Sequence, residues 1–548
     1  MDNLKLAELL FKDLDLTVAD IEKKYPPREL PAGAMVTRIA PSPTGFIHLG
    51  NLYGAYADMQ LANQSNGIFY LRIEDTDEKR EVPGAIEEII NGLKYFGVNF
   101  DEGATIDGEI GAYGPYRQSE RKEIYQVYAR ELVKKGLAYP CFCTEEDLAE
   151  IRKQQEALKE QTGYYGKWAR DRYLTLEEIE QYLSESRPWV LRFKATVKPD
   201  ETVMLDDGIR GHLVLPANDM DLVVLKTNGL PTYHFAHVVD DHLMGTTHLL
   251  RGEEWLSTLP MHLALFKAMG WEHPLYCHTA HMMKKEGEGK RKLSKRKDPE
   301  LGLNYYRSLG YHPEAVKEYL LTILNSNYEQ WRLDNPDAPS SEFEFTVDKM
   351  GKSGALFDLE KLNDISQTIF LKLSAAEIYD FILAWAEEYD HDYAAILKKD
   401  ADMAKKAFDI GRHGDKPRKD LIYCAQIAKF SAYIFPETFK IEDDYPAEVT
   451  KEDTKAILEA YKSQYDPADD NDTWFGKVRE MAVNMGFAAK PKDFKKNPDQ
   501  YKGHVGHVSG VIRIALTGRT NAPDLWEVQQ ILGVEEINRR LDQAITSL

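Results

Sequence analysis

His48-Leu49-Gly50-Asn51 places an imidazole, an amide and a glycine where a loop runs into a helical pattern. The first turn of a helix has unpaired N–H groups and the positive end of the peptide dipole, so it suits a phosphate. Gly45 and Gly50 allow a ligand close to the backbone. Four such residues also occur in many ordinary surface loops. Far downstream, Lys284 to Lys297 holds eight basic residues against two acids in fourteen positions, with two glycines. On its own this is a mobile, solvated basic loop that could meet phosphates. Each segment by its residues alone is compatible with a phosphate ligand.

Elements able to position these groups can be read nearby. Met35-Val36-Thr37-Arg38-Ile39 is β-prone, and Pro41-Ser42-Pro43-Thr44-Gly45 is a rigid loop. Leu49 to Asn63 repeats apolar residues at helical spacing, Asn66-Gly67 stops that helix, and Ile68 to Ile73 reads as a strand. Strand, loop, helix, strand is the unit of a parallel doubly wound sheet, whose ligands bind beyond the carboxyl ends of the strands. Helix-rich sequence from Gln118 to about Gln161 interrupts the pattern. Strands return at Val190 to Lys194, Asp221 to Lys226 and Thr246 to Leu250, so the first fold is split by an insertion. Beyond Pro299 the spacing is almost wholly helical. The expected fold is an α/β Rossmann-like domain with an α+β insertion, followed by all-α domains.

Composition sets outer limits. The 548 residues carry 69 Lys+Arg against 90 Asp+Glu, a net charge of −21, with 43% hydrophobic residues: an ordinary globular composition for several domains. No apolar run approaches the roughly 18 residues of a spanning helix. Four cysteines are too few for a disulfide framework, and the acidic first sixteen residues are unlike basic targeting segments, so a cytoplasmic protein is expected. The acidity argues against nucleic acid as a partner until it is resolved locally: Lys284 to Lys297 is strongly positive, and Gly486 to Gly503 carries five lysines against two aspartates.

Seven blocks in order carry a more specific resemblance: Arg38 to Gly45, Arg72-Ile73-Glu74-Asp75-Thr76-Asp77, Pro231-Thr232-Tyr233-His234, Val238 to Gly245, Arg251-Gly252-Glu253-Glu254-Trp255, Lys292-Leu293-Ser294-Lys295-Arg296, and Phe357 to Leu362. With His48 to Asn51 they resemble the class I aminoacyl-tRNA synthetases, and within them the glutamyl-tRNA synthetase family of bacterial type. The resemblance runs from about Val36 to Asn363 and resumes at Ile514 to Arg519. It implies activation of L-glutamate by ATP with Mg2+, and transfer to the 3′ end of tRNA-Glu. By resemblance His48, Lys292 and Lys295 are catalytic; Pro41, Gly45, His48, Gly50, Asn51, Glu254 and Lys295 bind ATP; and Arg38, Ser42, Glu74, Tyr233, His237 and Arg251 bind glutamate. Guanidinium groups suit the γ-carboxylate. Glutamine would leave their charge unpaired, at a cost of about 3–5 kcal/mol.

The resemblance also implies a domain order: an N-terminal extension (1–33), the catalytic domain in two halves (34–114 and 221–284), an inserted acceptor-stem-binding domain (115–220), the basic loop with a stem-contact domain (285–372), and a helical anticodon-binding region (373–548). Arg412, Lys416, Arg418 and Lys419, with the lysines of 490–502, are candidate phosphate contacts. Three departures stand out. Asn51 occupies the place of a second histidine in the broader signature. His237 stands where relatives often have Asn, adding an imidazole that titrates near pH 6.5. Cys141-Phe142-Cys143 resembles half of a zinc site, but the region of the second half reads Tyr164 to Arg170, so zinc is not expected and no metal ligand is assigned. A glutaminyl-tRNA synthetase and a noncatalytic tRNA-binding paralogue are the alternatives. A monomer is expected.

Overall fold

The computed structural model describes residues 2–45, 47–77, 79–198, 200–294 and 297–548. Lys295, expected above to be catalytic, lies outside them. Two compact units emerge, one of 1–305 with 317–358 and one of 306–316 with 359–548.

The first unit opens on two helices, α1 (Asn3–Leu10) and α2 (Val18–Lys24). Asp2 caps α1 by accepting from Leu4 and Lys5 N–H, and a Thr17/Asp20 capping box starts α2. Strand β1 (Val36–Ile39) then leads through the proline loop into α3 (Leu49–Gln64), whose carboxyl end gives way to β2 (Ile68–Leu71) at Asn66, φ +53°. Helix α4 (Ala85–Tyr95) crosses to β3 (Glu102–Thr105), which turns back as β4 (Gly108–Ile110). β1, β2 and β3 are parallel neighbours, with Arg38 opposite Tyr70, and β4 is antiparallel at the edge.

Helix α5 (Lys122–Lys134) begins the interruption read from the sequence. It is followed by β5 (Ala138–Cys141), α6 (Glu145–Leu158), α7 (Leu176–Ser184), β6 (Val190–Phe193), the hairpin β7 (Thr202–Asp207) and β8 (Gly211–Pro216), and β9 (Leu222–Leu225). β5, β6 and β9 form an antiparallel sheet. The parallel pattern resumes with α8 (Tyr233–Leu243), β10 (His248–Gly252), α9 (Leu259–Met269) and β11 (Leu275–Thr279). The Thr247 N–H donates to the Val36 carbonyl at 2.9 Å, bringing β10 beside β1. The carboxyl ends of β1, β2, β10 and β11 therefore open on one side, where such sheets bind ligands.

The basic segment departs from the expected loop. Residues Met282–Glu286 (β12) and Gly289–Lys292 (β13) form an antiparallel hairpin, and β12 also pairs with β14 (Ala355–Leu356). Gly287, φ +59°, supplies the turn. Part of its charge is compensated: Lys284 pairs with Glu300, and Arg291 holds Asp298 through two bonds of 2.6 and 2.7 Å.

The second unit is helical. Its core gathers Trp385, Phe408, Ile427, Leu458, Val508, Ile512, Leu541 and their neighbours at helical spacing. Arg412, expected as a phosphate contact, is buried there instead and donates to the carbonyls of Phe370, Leu371 and Leu373, closing a helix end. Lys416 and Lys419 are exposed, as are Lys490, Lys492, Lys495, Lys496 and Lys502.

Candidate active site

The open end of the parallel strands holds a cavity of about 960 Å³, lined among others by Arg38, Pro41, Ser42, His48, Gly50, Asn51, Glu74, Tyr233, Arg251, Glu254 and Lys292. Residues as far apart in the chain as Arg38 and Leu301 meet at one space because the loops that follow β1, β2, β10 and β11 all end there. Gly45 lies in the loop after β1 without lining the cavity. His237 does not line it either.

At one end of the cavity, His48 is the N-cap residue of α3, and Asn51 folds back so that its Oδ1 accepts from the His48 N–H at 3.1 Å. A Cβ on Gly50 would lie 3.1 Å from the His48 ring, so glycine lets the imidazole lie across the first turn. A Cβ on Gly252 would come within 2.6 Å of all three carboxyl atoms of Glu254, which folds back toward its own strand. His281, a lining residue outside the seven sequence blocks, bridges Lys292 and Glu254: Lys292 Nζ stands 3.3 Å from its Nε2 and Glu254 Oε2 3.4 Å from its Nδ1. A helix N-terminus, a lysine and polar rings at one end make a place for phosphates.

Toward the buried end the charges are dense. Arg72 is fully buried; it donates to Asp241 at 2.7 Å and to Glu74 at 3.0 Å, and Arg121 holds Asp240 at 2.7 Å. Gln118 and Tyr125 each donate to the other Asp240 oxygen at 2.8 Å. Arg38 reaches Asp241 only at 3.4 Å. Burial alone would raise the Asp241 carboxyl, but Arg38, Arg72 and His237 hold it well below the usual range. Burial raises Glu74, with Arg72 and Arg38 opposing.

His237 lies behind this wall. Its Nδ1 is 2.8 Å from Asp241 Oδ2 and its Nε2 is 3.1 Å from the Tyr276 hydroxyl, so the ring donates to the carboxylate and accepts from the phenol. Burial lowers its pKa to about 3 against the pull of Asp241. The ring therefore stays neutral, and the expected charge beside the pocket is absent because no water reaches it. Tyr233, one turn earlier on α8, stacks on it at 5.9 Å and packs on Trp255 at 4.5 Å.

Arg251 is held differently. Its Nε donates to His278 Nε2 at 3.0 Å, its Nη1 stands 3.2 Å from His262 Nδ1, and its buried Nη2 makes no hydrogen bond of ordinary geometry, with the Tyr233 hydroxyl interacting with the guanidinium. His278 is fixed in turn by Asp207 of β7 at 2.6 Å, and His262 by His234 at 3.0 Å. Burial lowers the pKa of all three histidines, with Arg251 acting in the same direction. The sequence signals these supports only faintly, through His234 in Pro231-Thr232-Tyr233-His234 and the two histidines of Cys277-His278-Thr279-Ala280-His281.

The thiol pair of the insertion has a third neighbour of metal-binding type. Donor atoms of Cys141, Cys143 and Asp171 lie within 4.8 Å of one another, and the Tyr164 hydroxyl is 3.3 Å from Cys143 Sγ. Asp171 Oδ2 already accepts from Phe142 N–H at 2.7 Å, and Tyr139, Tyr164 and Trp168 pack around the thiols. Among the described residues these three donors are one short of the four-ligand set of structural zinc.

Residues 34–364 match the catalytic domain of class I tRNA synthetases (E and Q), and residues 421–545 match an anticodon binding domain. The chain is 58% identical to a glutamate–tRNA ligase of Acetivibrio thermocellus over the full length of both, and 46% identical to one of Clostridium beijerinckii, covering 98% of this chain and 99% of the relative. Among solved structures it is similar to a glutamate-tRNA synthetase from Elizabethkingia anophelis, with a TM-score of 0.74 and 30% identity, covering 94% of this chain and 100% of the other.

Proposed function

The chain belongs to the glutamate–tRNA ligases, class I tRNA synthetases, and from that premise we propose a division of labour within the cavity. The protein is a ligase that joins glutamate to tRNA. ATP activates L-glutamate to glutamyl-adenylate, and the acyl group passes to the 3′ end of tRNA-Glu. Membership of the family sets aside the glutamine-specific and noncatalytic alternatives.

The observation that carries the reading is the Nη2 of buried Arg251 at the cavity wall, which makes no hydrogen bond of ordinary geometry. A guanidinium left one donor short in a dry wall calls for a carboxylate, and the γ-carboxylate of glutamate supplies it. Arg38 and Tyr233 complete that end. Glu74 and Ser42, on the same cavity, take the α-amino group, and His237 acts from behind by fixing Asp241 and Tyr233. At the other end His48, Pro41, Gly50 and Asn51 shape the ATP site, with Gly45 holding the loop. Glu254 stands near the nucleoside side, and Lys292 and Lys295 meet the developing pyrophosphate charge. Magnesium, when bound, offsets phosphate charge. The protein's own work is to hold the α-carboxylate against the phosphate in line and to keep water out.

The domain order given from the sequence is kept: 115–220 for the acceptor stem, 285–372 for the stem, and 373–548 for the anticodon of tRNA-Glu. The exposed lysines of 490–502 are its phosphate contacts, and affinity should fall with salt. No helix among the described residues is long and apolar enough to cross a membrane, and a cytoplasmic monomer fits the reading. Zinc has no part in it, and stoichiometric zinc in metal analysis of the purified protein would overturn that clause.

Aminoacylation of purified tRNA-Glu and tRNA-Gln side by side tests the acceptor, with charging of tRNA-Glu as the expected result. In the same assay Arg251→Ala should raise the glutamate KM about a hundredfold or more while the ATP KM stays near wild type. An unchanged glutamate KM would remove Arg251 from the pocket reading.

A further inference from the structure

We propose that the Asp207–His278 pair, with His262 and His234, sets the preference for glutamate over glutamine by holding Arg251 with neutral acceptors. The proposal rests on the assignment of Arg251 to the substrate's γ-carboxylate. It extends that assignment to residues that do not touch the substrate.

The argument begins with tautomers. Asp207 accepts at 2.6 Å from the Nδ1 of His278, so that nitrogen carries the proton and Nε2 is left as a lone pair, facing Arg251 Nε at 3.0 Å. Asp207 is itself fixed as a carboxylate by the Ile209 and Arg210 N–H groups at 2.9 and 2.8 Å. On the other edge, His262 Nδ1 accepts from Arg251 Nη1 and its Nε2 donates to His234 Nδ1 at 3.0 Å. Both imidazoles are fully buried; His278 is committed to the accepting tautomer through Asp207, whereas His262 takes it because the guanidinium facing its Nδ1 can only donate. The guanidinium is thereby oriented by two bonds without a carboxylate in contact with it.

The neighbouring arginines are treated otherwise. Arg72 and Arg121 each have a carboxylate at 2.7 Å. A guanidinium paired in that way has its charge compensated locally, and a neutral amide competes for its remaining donors nearly as well as a carboxylate does. Arg251 keeps its charge for the ligand, so the penalty for placing a glutamine amide there stays large. The remaining carboxylate, Asp207, sits one ring away, where it fixes the tautomer without touching Arg251. It comes from the β7–β8 hairpin, so a hairpin in the interruption helps to set amino-acid choice in the parallel-sheet domain.

The test uses full-length protein in the tRNA-Glu charging assay, with KM measured for glutamate and for ATP and with glutamine as the competing substrate. His278→Glu places a carboxylate on Arg251 and should raise the glutamate KM about a hundredfold, leave the ATP KM within about threefold, and narrow the glutamate-to-glutamine ratio of kcat/KM. His278→Gln, which keeps a neutral acceptor, should stay within about tenfold of wild type for glutamate, while His278→Leu should not. A merely structural role would move both substrates together and would not separate Gln from Leu. The proposal fails if His278→Glu leaves the glutamate KM unchanged or raises both KM values equally. If that variant does not fold, equal glutamate KM values for the Gln and Leu variants overturn it. Should Arg251→Ala also leave the glutamate KM untouched, the pocket reading itself falls; if only the His278 variants do so, the pocket stands and the cradle falls.

Discussion

Both units bury arginines, and they satisfy them in different ways. In the helical unit Arg540 is fully buried and donates to the carbonyls of Tyr433, Leu516 and Ile434 at 2.7, 2.6 and 3.1 Å, with Glu536 on its Nε at 2.6 Å. Arg412 does likewise at another helix end. These side chains serve the carbonyls that helices leave unpaired, and burial lowers the Arg540 pKa to about 10. In the catalytic unit Arg38, Arg72 and Arg121 lie on carboxylates and Arg251 lies on imidazoles. Carbonyls use up a guanidinium's donors in holding the fold. Arg72, Arg121 and Arg251 each keep a buried donor without a hydrogen bond, but only Arg251 of the three lines the cavity and has no carboxylate on it, and that difference separates a structural arginine from a binding one.

The comparison breaks most readily under substitution. Arg72→Met strips Asp241 and Glu74 of their closest cation and leaves buried carboxylates short of compensation, a loss of about 3–5 kcal/mol. Arg540→Met removes donors from neutral carbonyls and leaves Glu536 with Arg539, at 2.6 Å, so about 1–3 kcal/mol is expected. Denaturant midpoints followed by probes in each unit would measure both. Equal costs would mean that carbonyl and carboxylate cradles do the same work, and the distinction would be lost.

The sequence disclosed these sites unevenly. Strand β1, helix α3 and strand β2 were legible because their periodicities and the Asn66-Gly67 stop are local signals, and His48 and Gly50 came with them. Arg38, Glu74, Tyr233 and Arg251 are legible only through the sequence blocks that resemble the family. The Asp207–His278 contact spans 71 positions and leaves no spacing to read. The basic run reads as a loop because its eight charges hide the Met282-Met283 start of a strand and its partners Asp298 and Glu300. Arg412 reads as a surface cation because charge says nothing of burial; three carbonyls decide its place. His237 was assigned an ordinary titration for the same reason.

Acidification gives a smaller effect that sharpens the same contrast. In the catalytic unit His237 faces Asp241, Arg38, Arg251, His262, Tyr233 and Tyr276, and burial lowers its pKa to about 3. In the helical unit His312, packed against Phe370 and Phe381, is lowered to about 4 by burial alone. An unfolded imidazole binds a proton near pH 6.5, whereas these native rings do not until far lower. Stability held by the neutral ring is therefore fully present above pH 6.5 and falls as the pH drops toward the native value, by about 1.4 kcal/mol per pH unit for a fully buried ring. His234, His262 and His278 are lowered in the same direction, so the catalytic unit carries more of these groups around one cavity and should lose stability first. His237→Asn keeps a donor for Asp241 and removes the titration. Its melting temperature should decline less than that of the wild type between pH 6.5 and 5, by the share of one histidine. Identical slopes would mean that the ring gains its proton without loss of the fold, and the dry wall behind Tyr233 would have to be given up.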